Sequence, residues 1–252
     1  MRERVPLRQL GFWYALAVCI LKPTIVAFMK KDWRGGEHVP ATGGVIVAAN
    51  HISHADPVAL ADYLIYGNGR IVRFLAKSSL FRGKGLVGRV MRGAGQIPVH
   101  RQSADASLAL RDAVAALRAG ELVAIYPEGT VSRDPDKWPM QAKTGVARLA
   151  LLSGAPVVPV AQWGAQDILD SYRRKGVSLL PRHTMQMLAG PPVDLSAYQD
   201  REMTAEVLRA ATDDVMAAIT RLLEQLRGAT APGRVHVHQP SGLAADRRGP
   251  RS

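Results

Sequence analysis

Hydrophobic and polar positions along this chain fall into short apolar runs separated by glycine, proline and charged residues. Residues 43–49 open on two glycines and continue as a β-branched run, which predicts a buried strand. Residues 71–76, 122–126 and 156–161 predict further strands, and 95–101 and 185–188 are strand-like. Between them the apolar spacing turns helical. Asp56-Pro57 reads as a helix start, with Asp56 as N-cap, Pro57 as first helical residue and an apolar stretch to Ile65 behind. Residues 103–118 carry Leu108, Val114 and Leu117 at helical spacing, with Gly120 as the stop; a helix from about 145 to 152 ends at Gly154. From 204 to 227 a stripe of Leu208, Ala211, Val215, Ile219, Leu222 and Leu226 predicts a long helix packed on a core. Strands alternating with helices predict a layered α/β domain over residues 33–227, its central sheet mostly parallel or mixed and flanked by helices.

The ends of the chain read differently. Residues 1–32 combine Arg2, Arg4 and Arg8 with an apolar run that Lys22-Pro23 interrupts. A spanning helix needs about 20 apolar residues, and the small-residue cleavage pattern of a signal peptide is missing. Two short helical segments dipping into one leaflet, with Trp13 and Tyr14 at the interface, fit best; a buried helical hairpin and a true span are the alternatives. The expectation is therefore an N-terminal membrane-associating helical segment, peripheral or monotopic on the cell membrane, with the site facing the cytoplasm. Residues 228–252, rich in Gly, Pro, Ala, Arg and His, read as a disordered basic tail. His236 and His238 there are expected to be incidental.

Charge narrows the partners. Lys and Arg number 33 against 21 Asp and Glu, a net charge of +12, which favours anionic partners. Between 70 and 101 stand eight basic residues, Arg70, Arg73, Lys77, Arg82, Lys84, Arg89, Arg92 and Arg101, and no acidic one, so this stretch is expected to meet phosphates or anionic lipid. No nucleic-acid reading module is present, and the aromatic residues are not interleaved with the basic ones. The single cysteine, Cys19, excludes an intrachain disulfide and a cysteine-based metal site, and in its apolar run it reads as buried filler. No internal repeat, nucleotide-type glycine loop or metal-ligand spacing is visible, and no metal or cofactor is expected.

The chemistry concentrates in Asn50-His51-Ile52-Ser53-His54-Ala55-Asp56-Pro57, between the first strand and its helix. An imidazole and a carboxylate a short turn apart could form a base and its orienting partner, Asp56 holding one ring nitrogen while the other takes a proton from a hydroxyl. A plain cap at Asp56 and a solvated His51 explain the octapeptide equally well, and His54 competes as base. A second polar strand end is Pro127-Glu128-Gly129-Thr130-Val131-Ser132-Arg133; open α/β sheets put ligands at such ends.

Four pieces in order carry a resemblance: Asn50, His51, Ser53 and Asp56 as NHxSxxD; Ile97-Pro98-Val99 leading to Arg101; Pro127-Glu128-Gly129-Thr130; and Val157-Val158-Pro159-Val160. Together they resemble the glycerolipid acyltransferase family, the 1-acylglycerol-3-phosphate acyltransferases and their relatives, over roughly residues 35–190. The resemblance implies transfer of a fatty acyl group from acyl-CoA or acyl carrier protein to the free hydroxyl of a lysophospholipid, giving phosphatidic acid when the acceptor is 1-acylglycerol-3-phosphate. It implies His51 as general base and Asp56 as its orienter. It further implies Arg101 as clamp on the acceptor phosphate, Glu128, Gly129 and Thr130 at the acceptor site, and the Val157–Val160 strand as core or acyl-pocket lining. Two departures bear on the acceptor. Val131 stands where relatives carry Arg, leaving Arg133, two residues on, as the expected substitute; and His100 precedes Arg101 where an acidic residue is frequent. Another lysophospholipid or glycolipid acceptor, or a non-catalytic binder of anionic lipid, are the alternatives.

Overall fold

The computed structural model describes residues 11–83, 85–99, 106–172 and 177–237. Chain order runs α1 (Phe12–Phe28), β1 (Met29–Arg34), β2 (Val45–Ala49), α2 (Asp56–Asp62) extended by a π-helical turn (Tyr63–Gly67), β3 (Val72–Lys77), α3 (Ser79–Arg82), α4 (Leu86–Gly93) and β4 (Ile97–Val99). It continues with α5 (Ala106–Arg118), β5 (Leu122–Ile125), α6 (Gly145–Ser153), β6 (Val157–Trp163), α7 (Ala165–Ile168), β7 (His183–Ala189), α8 (Ser196–Gln199) and α9 (Ala205–Arg227).

Among the described residues seven strands form one sheet, ordered β1-β7-β6-β2-β5-β3-β4. The pairs are parallel except β6 with β7, so the expected layered α/β sheet is of the mixed kind. β2 lies at its centre between β5 and β6, and all five of its residues are buried. Alternation along it feeds two layers: Val45, Val47 and Ala49 join the core under α1 and α2, whereas Ile46 and Ala48 join the core under α5, α6 and α9. The α9 stripe packs as predicted, with Thr204 as N-cap accepting from the Val207 N–H at 3.2 Å.

The N-terminal segment departs from expectation. Residues 12–28 form one helix with Pro23 inside it, where two segments were expected; a proline removes one backbone donor without obliging the helix to end. Nor do Trp13 and Tyr14 both face outward. Tyr14 is buried and its hydroxyl donates to the Val72 carbonyl at 3.2 Å. Trp13 lies on Gly93, where an added Cβ would fall 2.0 Å from the indole, so the close approach of α1 to α4 requires glycine there. Phe12, Cys19 and Ile20 remain exposed, because only one face of this apolar helix finds the domain. Among the described residues no helix is long and apolar enough to cross a membrane.

β1 was missed as a strand. Lys30 is exposed at the sheet edge, where a lysine is tolerated and discourages further pairing, whereas Lys31 pairs with the buried Asp62. The basic stretch 70–101 also divides. Arg70 is buried and donates to the carbonyls of Pro40, Gly43 and Gly120 at 2.7, 2.7 and 3.0 Å. Arg73 pairs with Glu121, and Arg92 donates to the carbonyl of Phe81. Lys84 and Arg101 lie outside the described residues. The outward part that remains is Lys77, Arg82 and Arg89, all exposed.

Arg70→Ala removes a buried guanidinium and the donor of three partly buried carbonyls, each costing up to about 1–3 kcal/mol less whatever water recovers. A loss of about 2–4 kcal/mol in urea unfolding, with vesicle binding unchanged, is expected.

Candidate active site

β2 delivers the chain into a turn held from both sides. At its exit Asn50 is locked to β6: its Nδ2 donates to the Gln162 carbonyl at 3.1 Å, and its Oδ1 accepts from the Gln162 N–H at 2.9 Å. In the turn itself one oxygen does most of the positioning. Asp56 Oδ2 accepts from the N–H groups of Ile52 and Ser53 at 2.6 and 2.8 Å, and His51 Nδ1 lies 2.8 Å from it. Asp56 is therefore not the helix cap that the sequence suggests. It is the first residue of α2, after Ala55, and its side chain turns back onto the preceding loop instead of forward onto the helix amides. Burial raises its pKa, while the His51 ring and the two amides pull the other way.

With Nδ1 directed at the carboxylate, Nε2 is the ring atom left for a substrate proton. Tyr126, at the end of β5, stacks on the imidazole with centroids 4.2 Å apart and planes at 17°. His54 lies 6.4 Å from His51, ring to ring; the carboxylate goes to His51, which settles the geometric competition between them.

His51, His54 and Tyr126 line a cavity of about 1140 Å³. Its walls are chiefly apolar, with Tyr14, Ala17 and Val18 from α1, Val58, Ala61 and Ile65 from α2 and its extension, and Val90 and Met91 from α4 among them. Three exposed cations, Lys77, Lys143 and Arg148, also line it. Asp62 contributes to the same wall and is paired with Lys31.

The Glu128 motif splits. Gly129 and Thr130 line the cavity. Gly129 takes φ +71°, a left-handed turn that a side chain would strain. Glu128 instead is buried behind the turn: Oε1 accepts from the His51 N–H and Oε2 from the Met140 N–H, each at 2.9 Å. It is a strut under His51 and does not face an acceptor. Burial pushes its pKa up to about 8 against the pull of those two amides.

Arg133 is also displaced from its expected role. The chain after Gly129 is irregular, so two-residue alternation fails: Val131 is buried with its carbonyl taking the Tyr172 hydroxyl at 2.7 Å, whereas Arg133 is exposed, 5.7 Å from the Tyr172 ring and outside the cavity lining. The Val157–Val160 strand is core and not cavity wall, being central in the sheet and covered on both faces. Sequence reasoning missed Lys143 and Arg148; their only signal was their place just ahead of and in the first turn of α6, on the segment that follows the β5 strand end. Among the described residues no group of three or more His, Cys, Asp or Glu could hold a metal.

Every amide of the His51 turn is engaged. His51 N–H goes to Glu128, those of Ile52 and Ser53 to Asp56, that of His54 to Ser171 Oγ at 2.9 Å and that of Ala55 to Ser53 Oγ at 3.1 Å. This turn positions groups and has no amide to spare for an anion.

Fold and cavity together define a class: α/β proteins with a chiefly apolar cavity beside a histidine–carboxylate pair. Comparison with known proteins narrows it. The family model described as "Acyltransferase" matches residues 31–163. The 1-acyl-sn-glycerol-3-phosphate acyltransferase of Bacillus subtilis is 26% identical over 177 residues, spanning 69% of this chain and 80% of its own. The Borreliella burgdorferi protein of the same name is 31% identical over 194 residues, 75% and 73% of the two chains. The crystal structure of the 1-acyl-sn-glycerophosphate (LPA) acyltransferase PlsC from Thermotoga maritima shares the fold, with a TM-score of 0.61 at 24% identity over 84% of this chain and 78% of that one. This chain belongs to the glycerolipid acyltransferase family and is an acyltransferase enzyme of lipid metabolism; the non-catalytic alternative falls with that membership.

The raised pKa of Glu128 makes a prediction about pH. The folded protein keeps a proton there that the unfolded chain releases above about pH 4.5. The resulting stabilisation is fully present below that value and is lost as pH rises through about 8. Unfolding free energy should therefore fall by up to about 4 kcal/mol between acid and mildly alkaline pH. Urea titrations at pH 5 and 8.5 should show a shallower fall in Glu128→Gln, although Gln sets an amide against one of the two N–H donors and lowers stability throughout.

Proposed function

We propose that the enzyme moves a fatty acyl group from acyl-CoA or acyl carrier protein to the free hydroxyl of 1-acylglycerol-3-phosphate, giving phosphatidic acid. The observation that carries this reading is the His51–Asp56 pair, at 2.8 Å, on the wall of an apolar cavity that also bears Lys77, Lys143 and Arg148. The names of the relatives agree with it.

An alcohol at neutral pH is a weak nucleophile. His51 Nε2 takes its proton as the oxygen attacks the thioester carbonyl, and Asp56 holds the ring and stabilises the imidazolium. The tetrahedral intermediate expels the thiolate, which recovers that proton; the ester forms, the thioester breaks and no acyl-enzyme is required. Since the His51 turn is saturated and the Gly129 N–H is given to the Tyr126 carbonyl at 2.9 Å, the oxyanion draws its donors from Thr130 and Val131 in the cavity-lining turn. The acceptor phosphate meets the cations on the cavity wall, together with Arg101 on the strength of the family resemblance.

Membrane association follows the same wall. Leu80, Leu86 and Val87 of α3 and α4 are exposed beside Arg82 and Arg89, and α1, which packs on α4, exposes Phe12 and Ile20. Apolar side chains next to arginines suit a leaflet with anionic headgroups. Arg82→Glu with Arg89→Glu should weaken pelleting with anionic vesicles while leaving neutral ones indifferent; equal pelleting with both would remove these arginines from the interface.

A second reading, a glycolipid or other lysophospholipid acceptor, is favoured by Val131, buried at the position where the family resemblance leads one to expect Arg. Transfer from labelled palmitoyl-CoA across a panel of lyso-acceptors decides. His51→Ala should lower kcat by about 10³-fold or more, with the fold intact. Lys143→Ala with Arg148→Ala should raise the KM for the phosphate acceptor and change kcat little. Faster turnover on a neutral acceptor would replace the first reading with the second.

A further inference from the structure

Both backbone ends of His51 are held by one loop. Its N–H donates to Glu128, and its carbonyl accepts from the Ser132 N–H at 2.6 Å. That loop, residues 128–141, closes on itself: Ser132 Oγ donates to the Trp138 carbonyl at 2.7 Å, the Trp138 N–H donates to Asp134 Oδ1 at 3.1 Å, and the Met140 N–H reaches back to Glu128. A loop so closed still needs a fixed outer edge.

The C-terminal end of α9 supplies one. Arg227, its last residue, places its guanidinium carbon 3.9 Å from the centre of the Trp138 ring and 4.3 Å from that of Trp163, and donates to the Asp136 carbonyl at 2.9 Å. Trp163 ends β6 and Trp138 belongs to the loop, so the planar cation joins loop to sheet. A guanidinium suits two ring faces where an ammonium does not. Beyond Gly228 the chain returns along the loop. The Ala231 N–H donates to Glu224 Oε1 at 2.8 Å, and the His236 carbonyl accepts from the Gln141 N–H at 2.9 Å, next to Met140. His236, expected to be incidental, contributes through its backbone.

We infer that Arg227 and the returning segment through His236 form a clasp that positions His51, with Arg227 a positioning residue acting through Trp138, Ser132 and Glu128. The connection runs from cation to indole, from the Trp138 carbonyl to Ser132, and from Ser132 to the His51 carbonyl; a second line runs from His236 by Gln141 and Met140 to Glu128 and the His51 N–H. Loosening either line lets the imidazole drift relative to Asp56 and the cavity. Misplacement of a reacting group on the order of 1 Å can cost up to about 10²-fold in rate.

The inference rests on His51 being the base. Arg227→Ala, Arg227→Lys and a chain lacking residues 234–252 are compared with wild type and His51→Ala, with folded fraction measured by circular dichroism. Arg227→Ala should lower kcat roughly tenfold per folded molecule with acceptor KM within about twofold, since positioning is lost and binding is not. Arg227→Lys should recover part of the loss, and the shortened chain should lose in kcat alone. Wild-type kcat in Arg227→Ala beside an inactive His51→Ala overturns the clasp and leaves the base standing; an active His51→Ala overturns both. Should Arg227→Ala fail to fold, wild-type kcat in both other variants overturns the clasp.

Discussion

One carboxylate oxygen organises this site. Asp56 Oδ2 takes two backbone N–H groups and faces the His51 ring, all within 2.8 Å, in a position without solvent exposure. A carboxylate in that setting loses its hydration, so burial drives its pKa up; the donors gathered on one oxygen offset part of that loss. The same gathering dictates the loop. Residues 52 and 53 must bring their amides back toward α2, which leaves the chain no freedom between β2 and the helix and aims His51 into the cavity. The Asn50–Gln162 exchange and the Glu128 strut are then the two further fixings a six-residue turn needs, one to the neighbouring strand and one to the loop after β5.

The cavity ties the N-terminal helix to the chemistry. Tyr14, Ala17 and Val18 are wall residues, so α1 belongs to the container that would hold an acyl chain as much as to any membrane surface. That accounts for a helix this apolar keeping one face on the domain: the inner side lines the cavity and packs on α4, and the outer side keeps Phe12 and Ile20 exposed. The cavity wall and the exposed apolar side chains, Phe12 and Ile20 of α1 and Leu86 and Val87 of α4, lie on the same two helices.

Legibility followed burial. β2 and β5 announced themselves because strands covered on both faces must be apolar throughout, and the α9 stripe because its core contact is periodic. β1 stayed hidden because an edge strand carries lysines. His51 and Asp56 could be paired on spacing and resemblance, but the direction of the Asp56 side chain could not, since a helix cap and a backward-facing carboxylate share one sequence. Charge was the weakest guide. Of the basic stretch from 70 to 101, Arg70 serves three carbonyls and Arg73 a glutamate, uses that differ from ligand binding only in three dimensions. Lys143 and Arg148, on the cavity wall, stood outside any basic run.

The Pro-Glu-Gly-Thr segment shows how a motif and a contact come apart. Four successive residues share one strand end, yet the left-handed turn at Gly129 reverses which way the chain faces. Glu128, ahead of the turn, points into the protein and holds two amides; Thr130, after it, borders the cavity. Replacing glycine there would disturb both, because the turn sets the strut and the wall at once. A motif of this kind reports that several atoms must be placed together, and only the turn geometry says which of them reaches a substrate. The acidic residue, the most chemically suggestive of the four, is the one that acts at a distance, through the backbone of His51.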